Sequence, residues 1–165
     1  MHFKERCHLR RSTCMFQRIL VPLDGSKSAE RAIPVAAQLA RTSGGTVILI
    51  HVDPPTEFLQ AGVIATPSVA EEVFGIDLAD AQRYLAEQSV SPDLKGISTE
   101  TDVLFGSPAT TILSVATSTH ADMIVMCSHS YHSNRGHTDT RYRLLGSIAG
   151  KVIDNASIAV LLLRE

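Results

Sequence analysis

One stretch decides the fold of this chain: residues 18–52, RILVPLDGSKSAERAIPVAAQLARTSGGTVILIHV. Its first apolar run, RILVPL, is typical of a strand that is buried on both faces. A helical stripe follows, with Ser26 as its predicted N-cap and a glycine pair at its end. Pro34 inside this helix should loosen one turn. A second apolar run, TVILIHV, completes a β-α-β unit, which predicts two parallel strands in one sheet.

The rest of the chain continues this alternation of strands and helices. Helices are predicted over 67–88, from Ser107 and over 143–156, and further strands over 97–105, 122–127 and 157–163. The order β-α-β-α-β-α-β-α-β predicts an α/β domain with a parallel, doubly wound sheet and right-handed crossovers. The strand at 97–105 alternates in polarity, as expected of a sheet edge.

Composition narrows the class of protein. The 165 residues fit one domain, and the 44% apolar and 19% charged fractions are ordinary for a globular protein. The net charge of -2 gives no reason to expect a nucleic-acid partner. No apolar run approaches the ~20 residues that cross a membrane, and no secretory signal is apparent. Three cysteines without metal-type spacing favour a reduced, cytoplasmic protein.

The amino-terminal segment differs from the remainder of the chain. Residues 1–14, MHFKERCHLRRSTC, are basic and lack apolar periodicity. They are predicted to be either a disordered basic tail or the product of a misassigned start codon. The folded domain is therefore predicted to cover residues 15–165.

Three places qualify as ligand sites, because sheets of this kind bind ligands beyond the carboxyl ends of their strands. They are Asp24–Ser26, Val52–Asp53 and the segment from Cys127 onward. Asp24 is either a ligand for Mg²⁺ or a hydroxyl group, or a turn residue bonded to nearby backbone. Gly146 and Ser147 open the last helix, where free N–H groups bind phosphate, although the glycine could equally serve helix packing.

Other reactive side chains give weaker signals. Three histidines, His129, His132 and His137, are dense enough to suggest a metal, but no carboxylate or thiol at ligand spacing completes a set, so no metal is expected. Cys127 is interpreted as a small buried apolar side chain and His51 as structural. No nucleophile and base stand at a recognisable spacing, so we expect no catalytic residues and no enzyme.

The chain resembles the universal stress protein family over residues 16–164. The resemblance lies in five blocks in the same order: RILVPLDGSKSAERAIPVAAQLA, VILIHV, GSPATTIL, ADMIVMCSHS and RLLGSIAGKVIDNASIAVLLLR. It implies a single-domain, Rossmann-like fold of the adenine nucleotide alpha hydrolase type, with helices on both faces of a five-stranded parallel sheet of order 3-2-1-4-5. It also implies a homodimer, which we expect to form through the last strand, 158–163.

The resemblance further implies binding of an adenine nucleotide, ATP, with or without Mg²⁺. Pro22 and Asp24 would line the site, and Val52 would contact the adenine through its backbone. The residues at the phosphates and ribose would be Met126, Cys127 and Ser130, with Gly146, Ser147 and Ile148 on the far side. The alternative is a dimeric interaction module that binds no nucleotide. An ATP-hydrolysing enzyme has the least support.

The phosphate loop departs from the family pattern, which is G-x-x-G, nine residues, then G-S or G-T. Directly after the strand, the two glycine positions fall on Cys127 and Ser130, and fifteen residues separate Ser130 from Gly146. A second register keeps the nine-residue gap, with Gly136 as the second glycine and Ser133 in place of the first. The longer loop either rebuilds the phosphate site, with Arg135, Arg141 or Arg143 as donors, or is a flexible polar insertion. The cofactor-binding prediction therefore includes both Ser130 and Gly136.

Overall fold

The structure, a computed structural model, describes residues 16–53, 67–128 and 146–164. Strands and helices alternate along the chain. They are β1 (Arg18–Leu23), α1 (Lys27–Glu30), α2 (Ala32–Ser43), β2 (Thr46–Asp53), α3 (Pro67–Ser89), β3 (Ser98–Phe105), α4 (Pro108–Ser118), β4 (Met123–Cys127), α5 (Ser147–Asn155) and β5 (Ala159–Leu163), with a short 3₁₀ turn at Pro92–Leu94.

The five strands form one parallel sheet of order β3-β2-β1-β4-β5, which confirms the predicted fold class and strand order. Strand β1 lies at the centre and pairs with both β2 and β4. The chain runs outward from β1 in one direction to β3 and in the other to β5. The order therefore reverses between β1 and β4, where a doubly wound sheet leaves a crevice at its carboxyl edge.

Each face of the sheet is covered by helices. Alternate residues of β1 serve the two layers, since Ile19 and Val21 lie in one apolar cluster and Leu20 lies in the other. The first cluster includes buried residues of α1, α2 and α3, and the second includes buried residues of α4 and α5. Because strands buried on both faces must be apolar throughout, the runs in the sequence predicted β1, β2 and β4 well.

The first crossover helix is interrupted as Pro34 predicts. Helix α1 begins after Ser26, whose hydroxyl accepts a hydrogen bond from the Ala29 N–H at 3.1 Å, and ends at Glu30. Helix α2 begins two residues later. Pro34 has no N–H to donate to the Glu30 carbonyl and its ring needs the space of that turn, which accounts for the break. Gly44 ends α2 in the left-handed conformation, with φ of 69°.

Several element boundaries differ from the predicted ones. The last helix was predicted over 143–156 but begins at Ser147, with Gly146 as its N-cap, while residues 143–145 lie outside the described ranges. Ser107 stands at the N-cap of α4 but makes no capping hydrogen bond with its side chain. Strands β3 and β5 are the two sheet edges, as expected. Among the described helices, none is long and apolar enough to cross a membrane.

Candidate functional site

A cavity of about 430 Å³ opens at the carboxyl ends of β1, β2 and β4. This volume lies in the range of small-molecule sites, and the position is the one expected for a ligand on this sheet. The residues that line it are Pro22, Leu23, Asp24, Ala29, His51, Val52, Asp53, Pro108, Ile112, Met126, Cys127, Ser128, Gly146, Ser147, Ile148 and Ala149.

Every predicted site residue that the structure describes lines this one cavity. They are Pro22, Asp24, Val52, Met126, Cys127, Gly146, Ser147 and Ile148. The other two predicted residues, Ser130 and Gly136, lie outside the described residues, as do the histidines and arginines of the same segment. The structure thus brings the predicted residues together, and their role in binding stays a prediction.

The start of α5 supplies the cavity with hydrogen-bond donors. Gly150 N–H donates to the Gly146 carbonyl at 2.9 Å, which is the first bond within the helix. The three N–H groups before it belong to Ser147, Ile148 and Ala149, and they have no hydrogen-bond partner within 16–53, 78–128 and 146–164. Unpaired N–H groups at the positive end of a helix form a site for an anion.

Gly146 itself plays a different part from the one predicted. Its N–H donates to the Ser128 carbonyl at 2.9 Å, so it is not available to a ligand. Its φ of -56° is open to any residue, so backbone conformation does not require glycine there. Ser128 in turn donates its N–H to the Leu163 carbonyl at 2.8 Å. The two described residues that flank 129–145 in the sequence, Ser128 and Gly146, are therefore hydrogen-bonded to each other.

Asp24 stabilises a turn with one carboxylate oxygen and also lines the cavity. Its Oδ1 accepts a hydrogen bond from the Ser26 N–H at 3.0 Å, which is the turn role considered for this residue. Its other oxygen, Oδ2, has no hydrogen-bond partner in the described part of the chain. Because the side chain is exposed and lines the cavity, that oxygen is free to meet a hydroxyl group or a cation.

Cys127 is not the small buried apolar side chain that the sequence suggested. It is only partly buried, and its thiol donates to the Ser28 carbonyl, with 2.8 Å between Sγ and O. The reason is its place at the very end of β4, where the sheet gives way to the cavity. It lines the cavity, and it stands at the position of the first glycine of the family pattern in one of the two registers considered for the loop.

His51 and Asp53 form a polar pair at the end of β2. His51 Nδ1 lies 2.9 Å from the Leu23 carbonyl oxygen, and Nε2 lies 3.0 Å from Asp53 Oδ1. The Tyr84 ring of α3 packs edge-on against the imidazole, with 6.1 Å between ring centroids. Burial, then the charges of Glu30 and Asp24, raise the pKa of Tyr84 well above its usual range, so it stays neutral. His51 is thus held by two hydrogen bonds and orients a carboxylate that lines the cavity.

The cavity has two chemically different ends. Val52, Pro108 and Ile112 line it with apolar surface where β2 ends, and the free N–H groups of α5 line it where β4 ends. Sequence reasoning missed Pro108 and Ile112 of α4, because nothing in the local sequence shows that a helix after the edge strand β3 packs over β2. The strand order 3-2-1-4 does show it, since α4 connects β3 to β4 and must cross β2.

The ionisable side chains at the cavity are carboxylates, an imidazole and a thiol. Asp24, His51 and Asp53 are the titratable residues of the lining besides Cys127. Within the described ranges, no group of three His, Cys, Asp or Glu side chains is placed to hold a metal ion. Any cation at this site would therefore need the ligand's own oxygens as well as Asp24.

The chain belongs to the universal stress protein family, since the sequence model of that family matches residues 15–164. This confirms the resemblance stated from the sequence. A universal stress protein of Thermus aquaticus is 33% identical over 152 residues, which cover 91% of this chain and 100% of that protein. Universal stress protein MJ0531 of Methanocaldococcus jannaschii is 27% identical over 157 residues, covering 95% and 87%.

Solved structures agree with this sheet architecture. The structure of MJ0577, also from Methanocaldococcus jannaschii, has a TM-score of 0.73 and 25% identity and covers 92% of this chain and 97% of its own. A universal stress protein of Archaeoglobus fulgidus in complex with dAMP has a TM-score of 0.59 at 23% identity, covering 90% and 98%. Another family member, in complex with cAMP, has a TM-score of 0.55 at 23% identity, covering 91% and 98%.

Proposed function

We propose that this chain binds an adenine nucleotide, ATP or one of its mono- or diphosphate relatives, in the cavity at the carboxyl ends of β1, β2 and β4. One observation carries the proposal. The N–H groups of Ser147, Ile148 and Ala149 stand unpaired, among the described residues, at one end of a cavity whose other end includes the apolar surface of Val52, Pro108 and Ile112. A nucleotide has the matching shape, with an anion at one end and a flat, largely apolar base at the other.

Two relatives support the choice of adenine. These family members of the same fold were solved with adenine nucleotides, one with dAMP and the other with cAMP. Both ligands carry one phosphate, and three N–H groups at a helix start suit one phosphate group. The proposal is thus best supported for a nucleotide whose α-phosphate, the one bonded to the ribose, accepts hydrogen bonds from the N–H groups at the start of α5.

Additional phosphates of ATP would need positive charge that the described lining lacks. Arg135, Arg141 and Arg143 follow Ser128 in the sequence, outside the described residues, and are the candidates for charge-assisted donors. Mg²⁺ would be met by the free Oδ2 of Asp24 together with phosphate oxygens. We expect ATP to bind with lower affinity than in a relative that has both loop glycines, because a Cβ at Ser130 or Ser133 keeps the backbone away from phosphate.

A pair of variants at Ser147 tests the anion end directly. Ser147 is the first residue of α5, a position that tolerates proline, and Gly146 before it has a ψ of 147°, which proline also accepts. Ser147→Pro removes one N–H and keeps the helix. Calorimetric titration with AMP and with ATP should show roughly tenfold weaker binding, as a lost charge-assisted hydrogen bond predicts.

The matched control is Ser147→Ala, which removes the hydroxyl but keeps the N–H, and should bind nearly as tightly as the natural chain. Equal affinities for the proline and alanine variants would show that the N–H groups of α5 do not hold the phosphate. Absence of heat with every adenine nucleotide, for the natural chain, would reject nucleotide binding itself.

The second candidate function is a dimeric interaction module without a nucleotide. It is favoured by the edge strand β5, where Val160, Leu161 and Leu162 are only partly buried. This candidate would stand if nucleotides do not bind and the chain dimerises. In either case we propose binding without catalysis, and measurement of phosphate release from ATP tests that part separately.

A further inference from the structure

We propose that Cys127 positions one wall of the nucleotide cavity: its thiol holds the short helix α1 against β4, and α1 in turn holds Asp24. The inference rests on the proposed function and deepens it, because it names a residue that shapes the site through its neighbours. It is carried by the hydrogen bond from Cys127 to the Ser28 carbonyl, by the break after α1, and by the bonds that join α1 to Asp24.

Helix α1 is a single turn that does not continue into a longer helix. It covers only Lys27–Glu30, and α2 begins two residues later, after the turn that Pro34 interrupts. The Arg31 N–H donates to the Ser28 carbonyl at 3.2 Å, a tight bond of the kind that ends a helix. One helical turn has little stability of its own, so contacts with other elements must determine where α1 lies.

Cys127 makes such a contact from the end of β4. Its Sγ lies 2.8 Å from the Ser28 carbonyl oxygen, although the two residues are far apart in the sequence. A carbonyl oxygen has two lone pairs, so this one can accept the thiol hydrogen and the Arg31 N–H together. Ser28 is buried, which makes a lost hydrogen bond at this place harder for water to replace. Removal of the thiol would therefore weaken the attachment of α1 to β4.

Two further hydrogen bonds connect α1 to the carboxylate of Asp24. The Ala29 N–H donates to the Ser26 hydroxyl at 3.1 Å, and the Ser26 N–H donates to Asp24 Oδ1 at 3.0 Å. The N-cap of α1 is thus also the residue that orients Asp24. Because Ala29 and Asp24 both line the cavity, a displacement of α1 would change the shape of this wall and the place of its carboxylate.

The thiol contact crosses the crevice of the sheet. Strands β1 and β4 are the neighbours between which the strand order reverses, and a ligand of such a sheet lies in the crevice at their carboxyl ends. Helix α1 follows β1, and Cys127 is the last residue of β4. The bond from Cys127 to Ser28 therefore joins the two sides of this crevice. A site whose walls are already in place binds its ligand without the cost of ordering them.

The polar contacts of Glu30 hold α1 less firmly than the thiol does. The Tyr84 hydroxyl of α3 lies 3.5 Å from Glu30 Oε1, which is long for a hydrogen bond between oxygen atoms. The ion pair between Lys27 and Glu30 lies within α1 and cannot attach it to another element. The contact from Cys127 is the closer of the two that come from other elements. Cys127 is in this sense a positioning residue, which acts on the ligand through α1.

The test combines calorimetry with AMP and amide hydrogen exchange of α1, both on the full chain. Cys127→Ala removes the donor and should bind AMP about three- to tenfold more weakly, the effect of one lost hydrogen bond. The amide hydrogens of Glu30 and Arg31 should exchange faster in this variant, because α1 opens more often. Cys127→Ser keeps a donor, and a hydroxyl is a stronger one than a thiol. It should therefore keep both the affinity and the exchange rates near those of the natural chain.

The control is Val115→Ala, a buried position of α4 that does not line the cavity. It should lower the resistance to urea but leave AMP affinity and the exchange of α1 unchanged. Unchanged AMP affinity in Cys127→Ala, weaker binding without faster exchange in α1, or a serine variant that behaves like alanine would each overturn the inference. AMP binding by the natural chain would then leave the proposed function intact, whereas its absence would overturn the two together.

Discussion

Gly45 shows how closely one residue can be held by the fold. A Cβ added there would clash with the Phe16 carbonyl oxygen and lie 2.9 Å from that of Gln17. Both are main-chain atoms on the segment that enters β1, and Gln17 N–H is itself bonded to Asp122 at 2.7 Å. These main-chain atoms therefore cannot move to make room for an added methyl group, whereas a flexible neighbouring side chain could.

Gly45→Ala should accordingly destabilise the protein by about 2 kcal/mol, the typical cost of forcing extra volume into a packed region. Urea denaturation measures this loss. Gly150→Ala is the matched control, because no described atom lies within 4 Å of the added carbon and the site is inside α5. That change should stabilise by about 0.5–1 kcal/mol. A Gly45→Ala protein as stable as the Gly150→Ala protein would contradict this tight packing around Gly45.

At the same scale, the sequence indicates some site residues and hides others. Asp24 and Val52 follow strands at a predictable edge of the sheet, so the rule about strand ends finds them. The same rule points to Asp53, but not to the hydrogen bond between His51 Nδ1 and the Leu23 carbonyl oxygen, because that bond depends on how β1 and β2 come side by side in the sheet. A hydrogen bond across two strands has no signature in either strand alone.

Among the elements, strands were easier to predict than helix starts. β1 was predicted at its observed ends because the apolar run ILVPL follows Arg18 and a glycine turn follows the run. The predicted starts of β4 and β5 were one and two residues too early, since Asp122 and Ser157 read as part of their apolar runs. The last helix was predicted four residues too early, because Arg143, Leu144 and Leu145 continue its helical stripe in the sequence.

The segment between β4 and α5 carries the two alternative registers of the phosphate-loop glycines, and variants can distinguish them. If Gly136 is the working glycine, Gly136→Val should abolish nucleotide binding and Ser130→Gly should change little. If Ser130 holds that place, Ser130→Gly combined with deletion of six residues of the segment should strengthen binding. Each glycine contact is worth ~1–2 kcal/mol, about a factor of ten, which calorimetry resolves. Binding that ignores all of these changes would reject both registers.

For the whole molecule, the two edges of the sheet differ in character. Strand β3 exposes polar residues such as Glu100 and Thr101, whereas β5 carries a row of partly buried leucines, 161–163. An apolar edge strand invites pairing with another chain unless it is covered. We therefore expect a homodimer through β5.

Light scattering at micromolar concentration should give twice the monomer mass. Ala159→Lys, at an exposed position of β5, should shift the mass toward the monomer. Thr101→Lys, at an exposed position on the opposite edge, should leave the dimer unchanged. A monomer mass for the natural chain would show that β5 does not mediate association.

The amino-terminal residues 1–14 are expected to contribute nothing to the stability of the whole. The first contacts of the described chain are made by Phe16, whose carbonyl accepts from the Ser43 hydroxyl at 2.7 Å, and by Gln17. A chain that begins at Met15 keeps both. Its melting temperature should fall within a few degrees of that of the full chain, and a large decrease would show that the removed residues pack on the domain.

The central claim, a nucleotide with its phosphate on α5 and its base at the end of β2, is tested most directly by the amide NMR spectrum. Addition of AMP should shift the N–H signals of Ser147, Ile148 and Ala149, as donors to phosphate, and those of Val52 and Asp53, beside the base. Adenosine, which lacks the phosphate, should shift the second group and leave the first nearly unchanged. Shifts that spare α5 when AMP is added, or no shifts at all, would contradict the claim.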